Sequence, residues 1–152
     1  MPARDVLSPD RILRDLLGGD PDLNLERYWG ERSLFYNPHR DLGIIWVSIK
    51  DHDGENDSSS YLDRDGVYRL SFQLARDAYE HRFGARPPRP AKGGVVEIPD
   101  YDPRRLHKFM PHPVYAWMSW VMILSPSPAE FEPLRPLMAE SLERVRRKWK
   151  RS

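Results

Sequence analysis

The chain has 152 residues, of which 39% are hydrophobic and 31% are charged, and this length fits one domain spanning residues 1–152. It contains no cysteine, which excludes disulfides, thiolate metal sites and cysteine nucleophiles. The 24 basic and 23 acidic side chains give no general signal for nucleic-acid binding, and no apolar segment is long enough to cross a membrane. We therefore expect a cytoplasmic protein with no membrane partner.

The first half of the chain predicts a helix followed by an antiparallel sheet. Ser8 is a capping residue, Pro9 suits the first helical turn, and Gly18 ends the apolar periodicity of a short amphipathic helix. β-Branched and aromatic residues then predict strands, with a turn at residues 37–41 between the first two. We place these strands at residues 33–36, 43–50 and 67–74.

The second half predicts two helices around a long loop and one strand. Five prolines in residues 85–103 predict the loop. Ser127 and Glu130 form a capping box for the last helix, whose regular part prolines delay to about residue 134. The remaining elements are a helix at 76–83, a short strand at 94–98, a turn of helix at 104–109 and an apolar strand at 120–124. This order predicts an α+β fold, an antiparallel sheet of about four to five strands with helices on one face.

Charge is unevenly distributed along the chain. Residues 51–65 contain six carboxylates and one arginine, whereas residues 142–152 contain six basic side chains and one glutamate. The basic run is typical of a helix end, where cations complement the helix dipole. It also fits a basic contact surface.

The acidic loop is the first candidate site. Its carboxylates alternate from Asp51 to Asp57, as ligands do in a calcium loop, but Gly54 falls at the fourth position and Leu62 occupies the twelfth. Three interpretations stay open: a solvated turn, a loop that donates Asp51 or His52 to a pocket, and a divalent-cation site. We expect no resident metal and no cofactor.

Two arginines follow the acidic loop. Arg64 lies between Asp63 and Asp65 and can fix the loop through charge-assisted hydrogen bonds. Arg69 lies within the predicted third strand. It is therefore either exposed or held by a carboxylate in a partly covered cleft.

Residues 111–117 are the most pocket-like segment. Pro111 and Pro113 fix the backbone on either side of His112, with Tyr115 and Trp117 close by. Histidine is suited to proton transfer near neutral pH. The alternative is a histidine that bonds a backbone carbonyl and locks the loop onto the core, and Trp117 is either a core residue or a ring that stacks on a ligand.

Four ordered segments, followed by Trp120 and Val121, carry a resemblance to a known family. They read SLFYNP from residue 33, SIKDHD from residue 48, LDRDGVYRL from residue 62 and PHPVY from residue 111. Over about residues 30–149 the chain resembles a bacterial family known as domain of unknown function 6194, which implies no established activity. In element order it is more distantly similar to the MmcQ/YjbR proteins, and this similarity implies their frataxin-like fold by analogy.

Two functions follow from these observations. The first is a small-molecule binding protein or a small cofactor-independent enzyme. In it His112 would be the acid or base, Asp51 or Asp63 would orient it, and the ligand would contact His52, Arg64, Arg69, Tyr115 and Trp117. The alternative is a protein or nucleic-acid interaction module that uses the basic C-terminal helix, with nucleic acid the less favoured partner. The chain is expected to be a monomer, or a homodimer that buries residues 117–120.

Overall fold

Six strands of the described residues form one antiparallel sheet. The computed structural model describes residues 5–28, 30–39 and 43–151. The sheet order is β1-β2-β3-β4-β6-β5. The strands are β1 (Leu23–Tyr28), β2 (Glu31–Tyr36), β3 (Ile44–Lys50), β4 (Arg69–Gln73), β5 (Met110–Pro111) and β6 (Trp120–Leu124), and the α-helices are α1 (Pro9–Leu17), α2 (Arg76–Phe83), α3 (Pro128–Phe131) and α4 (Arg135–Arg151).

One face of the sheet packs against α4. Leu34, Ile49 and Leu70 are buried there in the main hydrophobic core, which also contains Met138 of α4. A register shift between β2 and β3 inserts Trp46 as an extra residue, and its indole N–H donates to the carbonyl of Met138 at 2.9 Å. The bulge therefore helps to fix the sheet against the helix.

The opposite face carries a row of polar side chains. The register pairs Ser33 with Ser48, Ser48 with Ser71, and Lys50 with Arg69. Because side chains alternate along a strand, these five residues point to the same side of the sheet. We call this side the polar face.

Two loop segments cover the polar face. Met122 and Leu124 of β6 pair with Ser71 and Arg69, so they share that side of the sheet. They belong to a second hydrophobic cluster that includes Leu62 of the acidic loop. The acidic loop and the His112 segment thus pack opposite α4.

The predicted α+β class and the antiparallel sheet are confirmed, with six strands in place of four to five. β1 was not predicted, because the alternation of Leu23 and Leu25 with polar residues ends at Arg27 and is too short to mark a strand. Leu25 and Tyr28 are exposed on this edge strand. β5, which has two residues, was also not predicted. The predicted turn at 37–41 ends in residues 40 and 41, which lie outside the described residues, as does residue 42.

Two predicted elements were wrong. Residues 94–98 form no strand, although the N–H of Val96 donates to the carbonyl of Pro113 at 2.9 Å. Residues 104–109 form turns rather than helix, because His107 has a φ of 66°, which a right-handed helix does not admit.

The predicted helix ends agree with the structure. The Ser127 side chain accepts from the N–H of Glu130, whose carboxylate accepts from the N–H of Ser127 in return. The prolines then divide the last helical region into α3, a 3₁₀ turn at Glu132–Leu134 and α4. Within the described residues, none of the helices is long and apolar enough to cross a membrane.

Candidate functional site

His112 is held through both its backbone and its ring. Its backbone N–H donates to the carbonyl of Trp120 at 3.0 Å, and its carbonyl accepts from the N–H of Ala116 at 3.1 Å. The ring nitrogen Nδ1 accepts from the N–H groups of Val114 at 3.0 Å and Tyr115 at 3.2 Å. The flanking prolines fix the neighbouring φ angles. The imidazole therefore has one orientation.

The same contacts determine the tautomer of His112. Nδ1 carries no proton because it accepts two N–H groups, so Nε2 carries the proton of the neutral ring. Burial and the positive charges of Arg69 and Lys50 lower the pKa of His112 well below 6.5, although Asp57 acts in the opposite direction. Nε2 makes no hydrogen bond with any residue that the structure describes. At neutral pH His112 thus offers one N–H donor to the cavity that it lines.

A buried cluster of three charges lies near His112. Arg69 is 1% exposed and donates from both terminal nitrogens to the two oxygens of Asp57, one of them at 2.9 Å. Lys50 Nζ lies 3.4 Å from Asp57 Oδ2. Burial would raise the pKa of Asp57, but the hydrogen bonds and charge of Arg69, with smaller effects of His112 and Lys50, lower it to about 2. Two cations therefore share one carboxylate at neutral pH.

A tight turn brings Asp57 over the polar face. The N–H of Gly54 donates to the carbonyl of Asp57 at 2.9 Å, and the N–H of Asp57 donates back at 3.3 Å. A β-carbon at position 54 would lie 2.8 Å from Lys50 Nζ, closer than side-chain atoms normally approach. Glycine at this position therefore makes room for the ammonium group.

Three buried serines lie beside this cluster on the polar face. The hydroxyl of Ser33 donates to Ser48 Oγ at 3.0 Å, and that of Ser71 donates to the carbonyl of Ser48 at 3.5 Å. Their small side chains leave space beneath the covering loops. The inner cavity, of about 210 Å³, is lined by Glu31, Ile45, Ser48, Ser71, His112, Tyr115, Met118 and Trp120.

An outer cavity of about 540 Å³ adjoins the inner one and shares Glu31 and Tyr115 as walls. Lys50 of β3 and Asp57 of the acidic loop line it. The long proline-rich loop closes it with Arg89, whose guanidinium lies 4.6 Å from the centre of the Trp117 ring. Several charged side chains thus line the outer cavity, whereas the inner cavity combines hydroxyls with apolar walls and the single carboxylate of Glu31.

Four of the predicted site residues lie together. Arg69 belongs to the charge cluster, and His112 and Tyr115 line the inner cavity. Tyr115 and Trp117 line the outer cavity. The His112 segment thus forms a wall of both cavities.

The other four predicted residues line neither cavity. Asp51 and His52 pair with each other at 3.0 Å, and both are about half exposed. Asp63 accepts from the N–H of Asp53 at 3.1 Å. Arg64 donates to three backbone carbonyls of the surrounding loops. Neither Asp51 nor Asp63 is therefore positioned to orient the His112 ring.

Sequence reasoning missed several residues of the candidate site. Ser48 and Lys50 interrupt the otherwise apolar strand β3, and this interruption was a readable signal. Ser33 and Ser71 lie in strands with other polar residues, so they carried no such signal. The partner of Arg69 was not readable, because Asp57 is one of several carboxylates in the acidic loop. Glu31 carried no signal, since a glutamate at a strand start is common.

The acidic loop gains no support as a metal site. Among the residues that the structure describes, no three His, Asp or Glu side chains form a group that could hold a metal ion. Asp53 accepts from the N–H of Leu62 at 2.8 Å, and Asp57 pairs with Arg69 and Lys50. These carboxylates serve turns and cations of the chain itself.

A groove of larger volume lies elsewhere, between α2 and α4. Its volume is about 1130 Å³, and its walls include Ala78, Ala139 and Ser141. The Ser141 hydroxyl donates to the carbonyl of Gln73 at 2.7 Å, so this polar group is already satisfied. We therefore place the candidate site at the inner cavity despite its smaller volume.

Comparison with known proteins places the chain in a family. The model of a family of unknown function, DUF6194, matches residues 7–152. The chain belongs to the DUF6194 family. No curated protein and no solved structure matches this DUF6194 chain, so the expected relation to the MmcQ/YjbR proteins has no support.

The Asp57–Arg69 pair predicts strong energetic coupling. Asp57→Asn leaves a buried guanidinium without its carboxylate, and Arg69→Met removes the main partner of that carboxylate. We expect each change to lower the free energy of unfolding by about 3–5 kcal/mol. The double variant should lose less than the sum by about 1–3 kcal/mol, measured by urea denaturation.

An exposed ion pair provides the control for these single and double variants. Asp102 and Arg104 lie 3.0 Å apart and are both about half exposed, so Asp102→Asn should change stability little. Additive effects at Asp57 and Arg69 would contradict the assigned coupling.

The protonation state of His112 predicts a pH dependence of stability. Because its folded-state pKa lies below 6.5, the unfolded chain binds this proton first, and stability falls as the pH decreases below about 6.5. The slope from this one group should approach about 1.4 kcal/mol per pH unit. Urea denaturation between pH 7.5 and 5 should therefore show a steeper loss for the wild type than for His112→Asn. Equal slopes would show that His112 is not buried as a neutral ring.

Proposed function

We propose that this DUF6194 protein binds a small molecule in the inner cavity. The observation that carries the proposal is the Nε2–H donor of His112, which is fixed by four hydrogen bonds and lines a cavity with buried serines. Among the described residues, Arg69 Nε is the one fully buried side-chain nitrogen or oxygen without a partner, so the unpaired Nε2 of His112 is open to the cavity. A donor that is held in one orientation and open to a cavity supports a ligand as its partner.

The size of the site supports a small ligand. Small-molecule pockets typically occupy about 300–1000 Å³. The inner cavity alone, at about 210 Å³, is smaller than this, but with the adjoining outer cavity of about 540 Å³ the site falls within the range. A compact group fits inside, and a longer ligand would extend past Tyr115.

The geometry favours binding over acid–base catalysis by His112. A neutral ring whose Nδ1 already accepts two N–H groups has no free lone pair for a substrate proton. Losing the Nε2 proton would leave an imidazolate beside Asp57, which is strongly unfavourable. His112 is therefore better suited to hold or polarise an acceptor group, as neutral imidazoles do in some enzymes.

The alternative, an interaction module built on the basic helix α4, has less support. Arg146 pairs with Asp20 at 2.9 Å, and Arg144 donates to the Gln73 side chain at 3.0 Å. These side chains are already engaged within the chain and stabilise the fold, which leaves them less suited to bind phosphate groups. The proposal also places the protein in the bacterial cytoplasm, where small polar metabolites are abundant.

Cavity filling tests the proposal. A library of neutral, anionic and cationic fragments is screened against the wild type by thermal shift, and hits should raise the melting temperature by several degrees when well above their Kd. Ser71→Leu should abolish these shifts, because its side chain points into the inner cavity. The variant should stay folded, since Ser71 makes only a 3.5 Å hydrogen bond.

Ala139→Leu is the matched control, because it fills the α2–α4 groove instead. It should leave the fragment shifts unchanged. Hits that survive Ser71→Leu, or that disappear with Ala139→Leu, would contradict a ligand site at the inner cavity.

A further inference from the structure

We infer that the ligand presents an oxygen acceptor, a carbonyl or carboxylate, to His112 and packs a compact apolar body against Trp120. This inference rests on the proposed function and adds the chemical class of the ligand. It follows from three features of the inner cavity: the polarity of the His112 ring, the hydroxyls of its floor and the apolar wall.

The His112 ring fixes the polarity of the first contact. Nδ1 accepts from the N–H groups of Val114 and Tyr115, so Nε2 can only donate in the neutral ring. A ligand atom that also donates, such as an ammonium hydrogen, would leave two donors facing each other. The group beside His112 must therefore be an acceptor.

The floor supplies a second donor. Ser48 Oγ accepts from the hydroxyl of Ser33 at 3.0 Å, which leaves the hydrogen of Ser48 for another partner. Ser71 directs its own hydrogen to the carbonyl of Ser48. His112 and Ser48 line the same cavity, so a ligand that carries oxygen acceptors can accept from both donors.

The formal charges around the site balance. Lys50 and Arg69 share the carboxylate of Asp57, and Glu31, which lines both cavities, lies opposite Lys50 in the β2–β3 register. Two carboxylates therefore offset two cations. The preference for an oxygen acceptor over an amine rests on the N–H of His112 and the hydroxyl of Ser48.

The remaining walls accommodate a small apolar body. Ile45, Met118 and Trp120 line the inner cavity away from its polar floor. The volume of about 210 Å³ equals the share of about seven water molecules at roughly 30 Å³ each. One aromatic ring with a single polar substituent matches this space and the indole of Trp120.

Three compounds of matched shape test the inference. Benzoate and benzamide carry oxygen acceptors, whereas benzylamine carries an ammonium donor. Titrations followed by ¹H–¹⁵N NMR should perturb the His112 ring and the Trp120 indole, with benzoate and benzamide at least about tenfold tighter than benzylamine. Long-range spectra of the ring should show the proton on Nε2.

Two asparagine variants separate the donor from its structural surroundings. His112→Asn retains an acceptor near the Nδ1 position but lacks Nε2–H, so the fold should persist and the preference for oxygen acceptors should disappear. His81→Asn makes the same change at an exposed residue of α2 and should leave binding unchanged.

Three other outcomes would each contradict a stated part of the inference. Equal or tighter binding of benzylamine at His112 would overturn the ligand class while leaving the inner cavity as a binding site. Failure of all three compounds to perturb His112 would also overturn the class, and the fragment screen would then judge the proposed function separately. A preference for acceptors that persists in His112→Asn would exclude His112 as its source.

Discussion

The buried ion pair between Asp57 and Arg69 is the constraint on which the candidate site depends. A guanidinium stays protonated in proteins, so a fully buried Arg69 requires a carboxylate partner. That partner comes from the acidic loop, and the loop must therefore close over the polar face whenever the sheet forms. Closure also brings the Asp57 carboxylate to the Lys50 ammonium. One ion pair thus joins the acidic loop, the sheet and the wall of the outer cavity.

The two faces of the sheet are packed differently, one with apolar side chains and the other with serines. Leu34, Ile49 and Leu70 fill the face toward α4, and their burial supplies the hydrophobic stabilisation that the fold needs. At the same level of the other face the neighbouring strands carry Ser33, Ser48 and Ser71. Apolar side chains there would remove the cavity and bury more surface, so the serines exchange stability for space, as binding sites commonly do.

Local signals in the sequence predicted local structure well, and tertiary pairing decided the rest. The Ser127 capping box, the prolines around His112 and the strand at residues 120–124 depend on neighbours in the chain, and they agree with the structure. The partner of Arg69 could not be predicted from neighbouring residues, because Asp51, Asp53 and Asp57 are equivalent in the sequence until the turn at Gly54 is known. Edge strand β1 was missed for a similar reason, since its stability comes from pairing with β2 rather than from its own pattern.

The charge asymmetry of the sequence is resolved within the fold. In the acidic loop, Asp53 bonds a backbone N–H and Asp57 holds two cations. In the basic helix α4, Arg146 pairs with Asp20. Both charged runs therefore serve partly as internal supports, and neither is simply a surface for an oppositely charged molecule. The charge beside the cavities is set by tertiary pairing, in which the carboxylates of Asp57 and Glu31 lie near the cations Lys50 and Arg69.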